Sequence, residues 1–265
     1  MVSAPRPGSR RRRVRISCLS TGCVRRKRAD RGVRRYFSDD WSDETMPVNV
    51  FVVEHPDGIC LFDTGQTARA AVPGYFPSWY PFFRLCRFEL TPDDEIAAQL
   101  TRLGHEARDV RWIVLSHLHT DHVGGLDAFP EADVFVSRTE WEDAQGLGGR
   151  VRGYLPQYWP TQARTVLVDF EEPAVGPFPG SHDLSGDGAL VLVPTPGHTR
   201  GHMSLLIRDE GRSFLLGGDV AEAADDLDHV APELAHYCEQ GGAVFLATHD
   251  ARAPELVAHA AERRN

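Results

Sequence analysis

The run Ser116-His117-Leu118-His119-Thr120-Asp121-His122-Val123-Gly124-Gly125 places three imidazoles and a carboxylate within six positions, directly behind the apolar stretch Val110 to Leu115. Side chains alternate along a strand, so His117 and His119 leave one face together and can reach one point. Asp121 and His122 fall in the turn that follows, and Gly124-Gly125 is expected to supply backbone freedom for a tight bend. Neutral imidazole and carboxylate suit zinc and neighbouring first-row metals, and four such groups exceed what one catalytic ion with an open position needs. Two divalent ions are therefore expected. The plain alternative is a set of solvated polar residues in a surface turn. The strand-then-turn context, which agrees with the ligand spacing, argues against it.

Three more apolar runs end in a ligand type. Ala189 to Val193 is followed by Pro194-Thr195-Pro196-Gly197-His198, Phe214 to Gly218 by Asp219, and Ala243 to Thr248 by His249. Four strands lying side by side would bring these ends to one edge, where α/β architectures place their chemistry.

The HxHxDH run with His198, Asp219 and His249, preceded by Leu61-Phe62-Asp63-Thr64-Gly65, resembles the metallo-β-lactamase-fold superfamily of binuclear metal hydrolases. The likeness runs from about Val48 to His249. It implies an α/β fold, a four-layer α/β/β/α sandwich. It also implies that His117, His119 and His198 hold one ion, that Asp121, His122 and His249 hold the other, and that Asp219 bridges them. On donor type the ions are zinc first, with iron, manganese or cobalt as alternatives.

Local patterns agree with such a fold. Val48 to Glu54 and Ile59 to Asp63 flank the turn residues His55-Pro56-Asp57-Gly58 and read as a hairpin. Ser204 to Arg208 and Ser213 to Leu216 read as a second. Thr91-Pro92-Asp93-Asp94 reads as a capped helix start whose apolar face is Ile96, Leu100 and Leu103, stopped by Gly104. Asp133 to Ser137 reads as a strand, and Thr139 to Ala144, Pro232 to Gln240 and Pro254 to Arg263 as helices.

At 265 residues and 42% hydrophobic, the chain suffices for one domain with a large core. No apolar run is long enough to span a membrane. Five cysteines, without a paired CxxC pattern, fit a reducing compartment, and a cytoplasmic location is expected. Cys18 and Cys23 alone cannot complete a structural zinc centre. Residues 1–35 hold 13 Arg or Lys against one Asp, so a chain of net charge −9 carries a basic arm on an acidic body, 36–265. Arg10 to Arg13 lack the apolar segment an export signal needs. The arm is expected to be a solvated tail leading into a first strand near Val14 to Leu19. Nucleic acid is not an expected partner, because the acidic body repels phosphates.

The finer texture resembles the N-acyl-homoserine lactonase branch, in the segments Val48 to Gly58, Ser116 to Gly125 and Thr195 to Leu205. That implies a small-molecule lactone or ester substrate, opened by a bridging hydroxide attacking the ring carbonyl, with Asp121 and Asp219 as catalytic residues. Asp121 would shuttle a proton to the leaving oxygen, and the protein would be a monomer or homodimer. One departure matters: lactonases of this kind place a tyrosine three residues after the bridging aspartate, where this chain has Glu222. Another donor serves, or the substrate differs. A glyoxalase II-like thioesterase and a mononuclear iron persulfide dioxygenase share the fold and remain open alternatives.

Two aromatic stretches complete the reading. Pro73 to Phe83 is an ordered loop that could be a lid over the metals, a dimer contact, or a loop folded on its own core. Tyr154 to Pro160 could line the opposite wall.

Overall fold

The structure, a computed structural model, describes residues 14–28, 36–77, 80–159, 163–209 and 211–262. Seven strands form one sheet: β1 (Arg15–Lys27), β2 (Trp41–His55), β3 (Gly58–Phe62), β4 (Cys86–Glu89), β5 (Val110–Val114), β6 (Asp133–Ser137) and β7 (Arg164–Val168), in the order β4-β1-β2-β3-β5-β6-β7. Five form the other: β8 (His182–Asp183), β9 (Leu190–Pro194), β10 (Met203–Asp209), β11 (Arg212–Gly218) and β12 (Ala243–Ala247), in the order β12-β11-β10-β9-β8.

Alternation builds the layers. Phe51 and Val53 of β2, Phe62 of β3 and Val114 of β5 face Leu192, Leu205, Ile207 and Leu216 in a core between the sheets. Their strand neighbours Val50, Val52, Leu61 and Ile113 face outward onto Ile96 and Leu100 of α2 (Ile96–Arg102). On the far side, Val191, Leu206 and Leu215 pack against Leu234 and Cys238 of α7 (Pro232–Gly241). Both faces of the central strands are covered, which is why β3, β5, β9 and the body of β11 read as near-continuous apolar runs. The result is the expected four-layer α/β/β/α sandwich. The remaining helices are single turns or short: α1 (Phe82–Leu85), α3 (Thr120–Val123), α4 (Arg138–Asp143), α5 (Gly146–Val151) and α6 (Leu227–Val230), followed by the longer α8 (Ala253–Glu262).

Both expected hairpins form, with His55 opposite Gly58 and Asp209 opposite Arg212. Two expectations need correction. Pro92–Asp94 is a separate 3-10 turn, closed by the Thr91 amide and hydroxyl on the Asp94 carboxylate, both at 2.7 Å. Glu95 is then extended, because its carboxylate accepts from Thr67 Oγ1 at 3.0 Å and the Ala68 amide at 2.7 Å, and α2 starts only at Ile96. The four ligand-bearing strands do not lie in one sheet: β5 belongs to the larger, and β9, β11 and β12 to the smaller. Their ends meet across the gap between the sheets.

Residues 1–13 and 29–35 of the basic arm lie outside the described residues, as do Ser78, Trp79, Pro160 and the end of the last expected helix. Arg15–Lys27 forms all of β1, which runs well past Leu19 and pairs with both β2 and β4. Among the described residues no helix is long and apolar enough to cross a membrane.

Candidate metal centre

The chain leaves β5 through Leu115 and Ser116, puts His117 into the gap between the sheets, and turns at once into α3. His119 precedes that helical turn, and Asp121 and His122 lie within it. Gly124 (φ −64°) and Gly125 (φ −90°) have ordinary right-handed backbones, so conformational freedom is not their role. A Cβ on Gly124 would stand 2.5 Å from Gln66 Oε1, and one on Gly125 would collide with the Thr64 carbonyl. They are glycine because the Thr64 to Thr67 loop packs directly on them. Gly218, at φ +54°, bends the end of β11 to present Asp219, and a Cβ there would stand 2.7 Å from Ser116 Cβ.

All seven expected residues come together. His119 Nδ1 lies 2.9 Å from His117 Nε2 and 3.1 Å from His198 Nε2. Asp121 reaches His249 Nε2 at 3.8 Å and His122 Nε2 at 3.9 Å. Asp219 stands between the two groups with its oxygens divided. Oδ2 is 3.5 Å from His198 Nε2 and 3.9 Å from His117 Nε2, while Oδ1 is 3.4 Å from His122 Nε2 and 3.5 Å from His249 Nε2.

Hydrogen bonds on the far side of four of the rings fix which nitrogen faces the gap. His122 Nδ1 donates to Asp63 Oδ2 at 2.8 Å, His249 Nδ1 to the Pro47 carbonyl at 2.8 Å, and His119 Nε2 to the Arg152 carbonyl at 3.3 Å. His117 Nδ1 donates to Ser116 Oγ at 3.0 Å, whose own proton goes to Asp63 Oδ2 at 2.9 Å. In its neutral form each of these four rings turns a lone pair inward. Lone pairs crowded at about 3 Å repel unless a cation stands among them. His122 Nε2 and Asp219 Oδ1 are, besides, buried without a hydrogen-bond partner. This donor set fits a pair of divalent cations.

Protonation agrees. Burial pulls His117 well below the usual histidine value, and burial with neighbouring His198 pulls His119 down to about 4, so both rings are neutral, as ligands must be. Burial opposes charge on His122 and His249 as well, but Asp219 and the nearby carboxylates overcome it and raise both. Burial would lift Asp219; His122 and His249 instead hold it well below the usual carboxylate range.

Several supporting residues were not singled out from sequence. Asp63 and Ser116 orient His117 and His122 as above. His202 is buried, with Nδ1 on Thr195 Oγ1 at 2.9 Å and Nε2 accepting the Asp219 amide at 3.3 Å. Glu140 is fully buried: its carboxylate accepts from the Leu118 amide at 3.0 Å and from Thr199 Oγ1 at 2.7 Å, tying the His117–His119 loop to the His198 loop. Asp63 and His202 sat inside quoted motifs; Glu140 carried no signal distinguishing it from its acidic neighbours.

A cavity of about 220 Å³ opens over the cluster, walled by Val24, Met46, Tyr80, Phe82 and Phe83 on one side and by Arg152 and Gly153 on another. The Pro73–Phe83 stretch thus serves twice. Phe76 stacks on Phe83 at 3.9 Å and packs against Phe88, while Phe82 and Phe83 reach the cavity. The second aromatic stretch supports the first, Tyr158 donating to the Tyr75 carbonyl at 2.6 Å, and Tyr154 is buried behind His119, with ring centroids 5.3 Å apart. Glu222 lines the cavity, in an ion pair with Arg26 at 2.9 Å.

The chain belongs to the metallo-beta-lactamase superfamily, whose family model matches residues 43–255. Its relatives within it include N-acyl homoserine lactonases and probable metallo-hydrolases, one of the latter, from Mycobacterium tuberculosis, 35% identical over 174 residues, covering 63% of this chain and 54% of its own. A lactonase from Rhizobium radiobacter is 31% identical over 201 residues, covering 71% of this chain and 69% of its own. One from a Bacillus species is 31% identical over 189 residues with the same coverage. A solved N-acyl homoserine lactone hydrolase, with the product N-hexanoyl-L-homoserine at its catalytic metal centre, superposes with a TM-score of 0.70 at 24% identity over 92% of this chain and 96% of that one. At that identity the superposition speaks for the fold.

Proposed function

We propose that this chain is a metal-dependent hydrolase that opens the ring of an N-acyl homoserine lactone. Two divalent ions, zinc first, would be held by His117, His119 and His198 on one side and by Asp121, His122 and His249 on the other. Asp219 lies between these two groups of residues. The observation that carries the reading is the division of the Asp219 oxygens between two groups of inward-facing imidazoles. The lactonases among its relatives support the choice of substrate.

When bound, such ions supply Lewis acidity and a nucleophile drawn from water at neutral pH. The protein's residues do the rest. Asp219 fixes the separation of the two groups. Asp121 lines the cavity, where its carboxylate passes a proton to the departing ring oxygen. The apolar wall of Val24, Met46 and Phe82 takes the acyl chain and keeps water from it.

Proton release on N-hexanoyl homoserine lactone, beside a glutathione thioester, tests this. Stoichiometric acid release from the lactone, lost in His119→Ala, is expected. Thioester turnover without lactone turnover would replace the reading with the thioesterase alternative.

A further inference from the structure

One wall of the cavity carries a charge, the Arg26 guanidinium. Val24 and Arg26, two apart on β1, project from one face of the strand, and Met46 stands opposite Val24 in the register with β2. This wall is apolar except for the Arg26 guanidinium. Of the two arginines lining the cavity, Arg152 is engaged elsewhere, its Nη2 donating to the Asp143 carbonyl at 2.6 Å. The only side-chain hydrogen bond Arg26 makes among the described residues is from Nη2 to Glu222 Oε1 at 2.9 Å. A guanidinium carries five N–H donors in a planar fork, so most of the fork remains for an acceptor brought by a ligand.

The pair with Glu222 does not explain why a charge is kept there. The two side chains are 51% and 61% exposed, and ion pairs of that kind contribute little to stability. Glu222 holds the long Arg26 side chain at the cavity that the imidazole cluster also lines. An occupant matching this lining has an electrophilic carbonyl at the cluster, an apolar tail along Val24, Met46 and Phe82, and an acceptor oxygen for Arg26.

Resting on the lactone reading, we propose that Arg26, steadied by Glu222, is a specificity-determining residue that donates to the amide carbonyl of an N-acyl substituent. The enzyme therefore prefers lactones carrying an acylamino group over lactones carrying a plain alkyl chain.

The test compares N-hexanoyl homoserine lactone with a γ-lactone bearing an alkyl chain of matching length, using metal-loaded parent enzyme, Arg26→Met and Glu222→Gln. For Arg26→Met, KM for the acylamino lactone rises roughly tenfold or more, as loss of a charged hydrogen bond implies, while kcat and both constants for the alkyl lactone stay near the parent's. Glu222→Gln shifts the same KM in the same direction by less. Both substrates are measured on one preparation, so partial misfolding, which lowers both rates alike, does not imitate a selective KM change. An unchanged KM for the acylamino lactone, or an equal change for both lactones, overturns the proposal. Turnover of neither lactone by the parent overturns the lactone reading, and this inference with it.

Discussion

The Asp63 carboxylate lies 2.8 Å from His122 Nδ1, with both residues buried, and it hangs from a backbone at φ +62°. A left-handed conformation is uncommon outside glycine, though aspartate tolerates it better than most residues. Here it lets one carboxylate take the Ser116 amide at 2.8 Å on Oδ1 while Oδ2 meets the His122 ring. One aspartate thus sets both the path of the chain into the His117 loop and the orientation of a candidate ligand.

Replacing Asp63 with Asn exchanges an acceptor for an amide that presents N–H to one of these donors. Outer carboxylates that orient histidine ligands typically account for about 10- to 100-fold in metal affinity. Asp63→Asn is expected to lose affinity in that range, read by competition against a chromophoric chelator. Parent-like affinity would mean that His122 needs no orienting partner.

Glu140 holds two loops through one buried carboxylate. Glu140→Ala strands the Leu118 amide and the Thr199 hydroxyl, at about 1–3 kcal/mol for each buried group left unpaired. A loss of about 2 kcal/mol or more in urea denaturation is expected, together with weaker metal binding, because His119 and His198 sit on the loops released. A variant as stable as the parent would show that water replaces the carboxylate.

In metal-free protein, stability should peak near the ordinary histidine value. Burial holds His202 down to about 3 and His119 to about 4, against 6.5 for a free ring. The unfolded chain takes up these protons below pH 6.5 and the folded chain refuses them. Each ring's contribution is thus present above that pH and lost as pH falls, by up to about 1.4 kcal/mol per pH unit. His122 and His249, shifted upward, contribute fully below 6.5 and lose that contribution as pH rises. Urea midpoints of the apo protein should therefore fall on both sides, and His202→Asn should flatten the acid limb. An acid limb equally steep in that variant would assign the slope to other groups.

Much of this was legible because it is local. The hairpins at His55 to Gly58 and Asp209 to Arg212, and the ligand-type residues past each apolar run, are written in consecutive residues. What was not legible depends on chain segments far apart. Glu95 breaks the expected helix because it caps the Thr67 turn, and Gly124 and Gly125 answer to the Thr64 loop rather than to a bend. Alternation along each strand marks a buried face but does not say which sheet the strand joins, so the meeting of β5 with β9, β11 and β12 across two sheets was hidden. Arg26 looked like one more charge in a basic arm, and only the pairing of β1 with β2 and β4 brings it to the cavity.

The proposed binuclear centre rests on the division of the Asp219 oxygens between two imidazole groups. Elemental analysis of the purified protein after exhaustive dialysis should give about two equivalents of divalent metal per chain, and distinctly fewer for Asp219→Ala, which loses the group common to both sites. A parent protein without divalent metal, or an Asp219→Ala variant still holding the full complement, would contradict the binuclear centre.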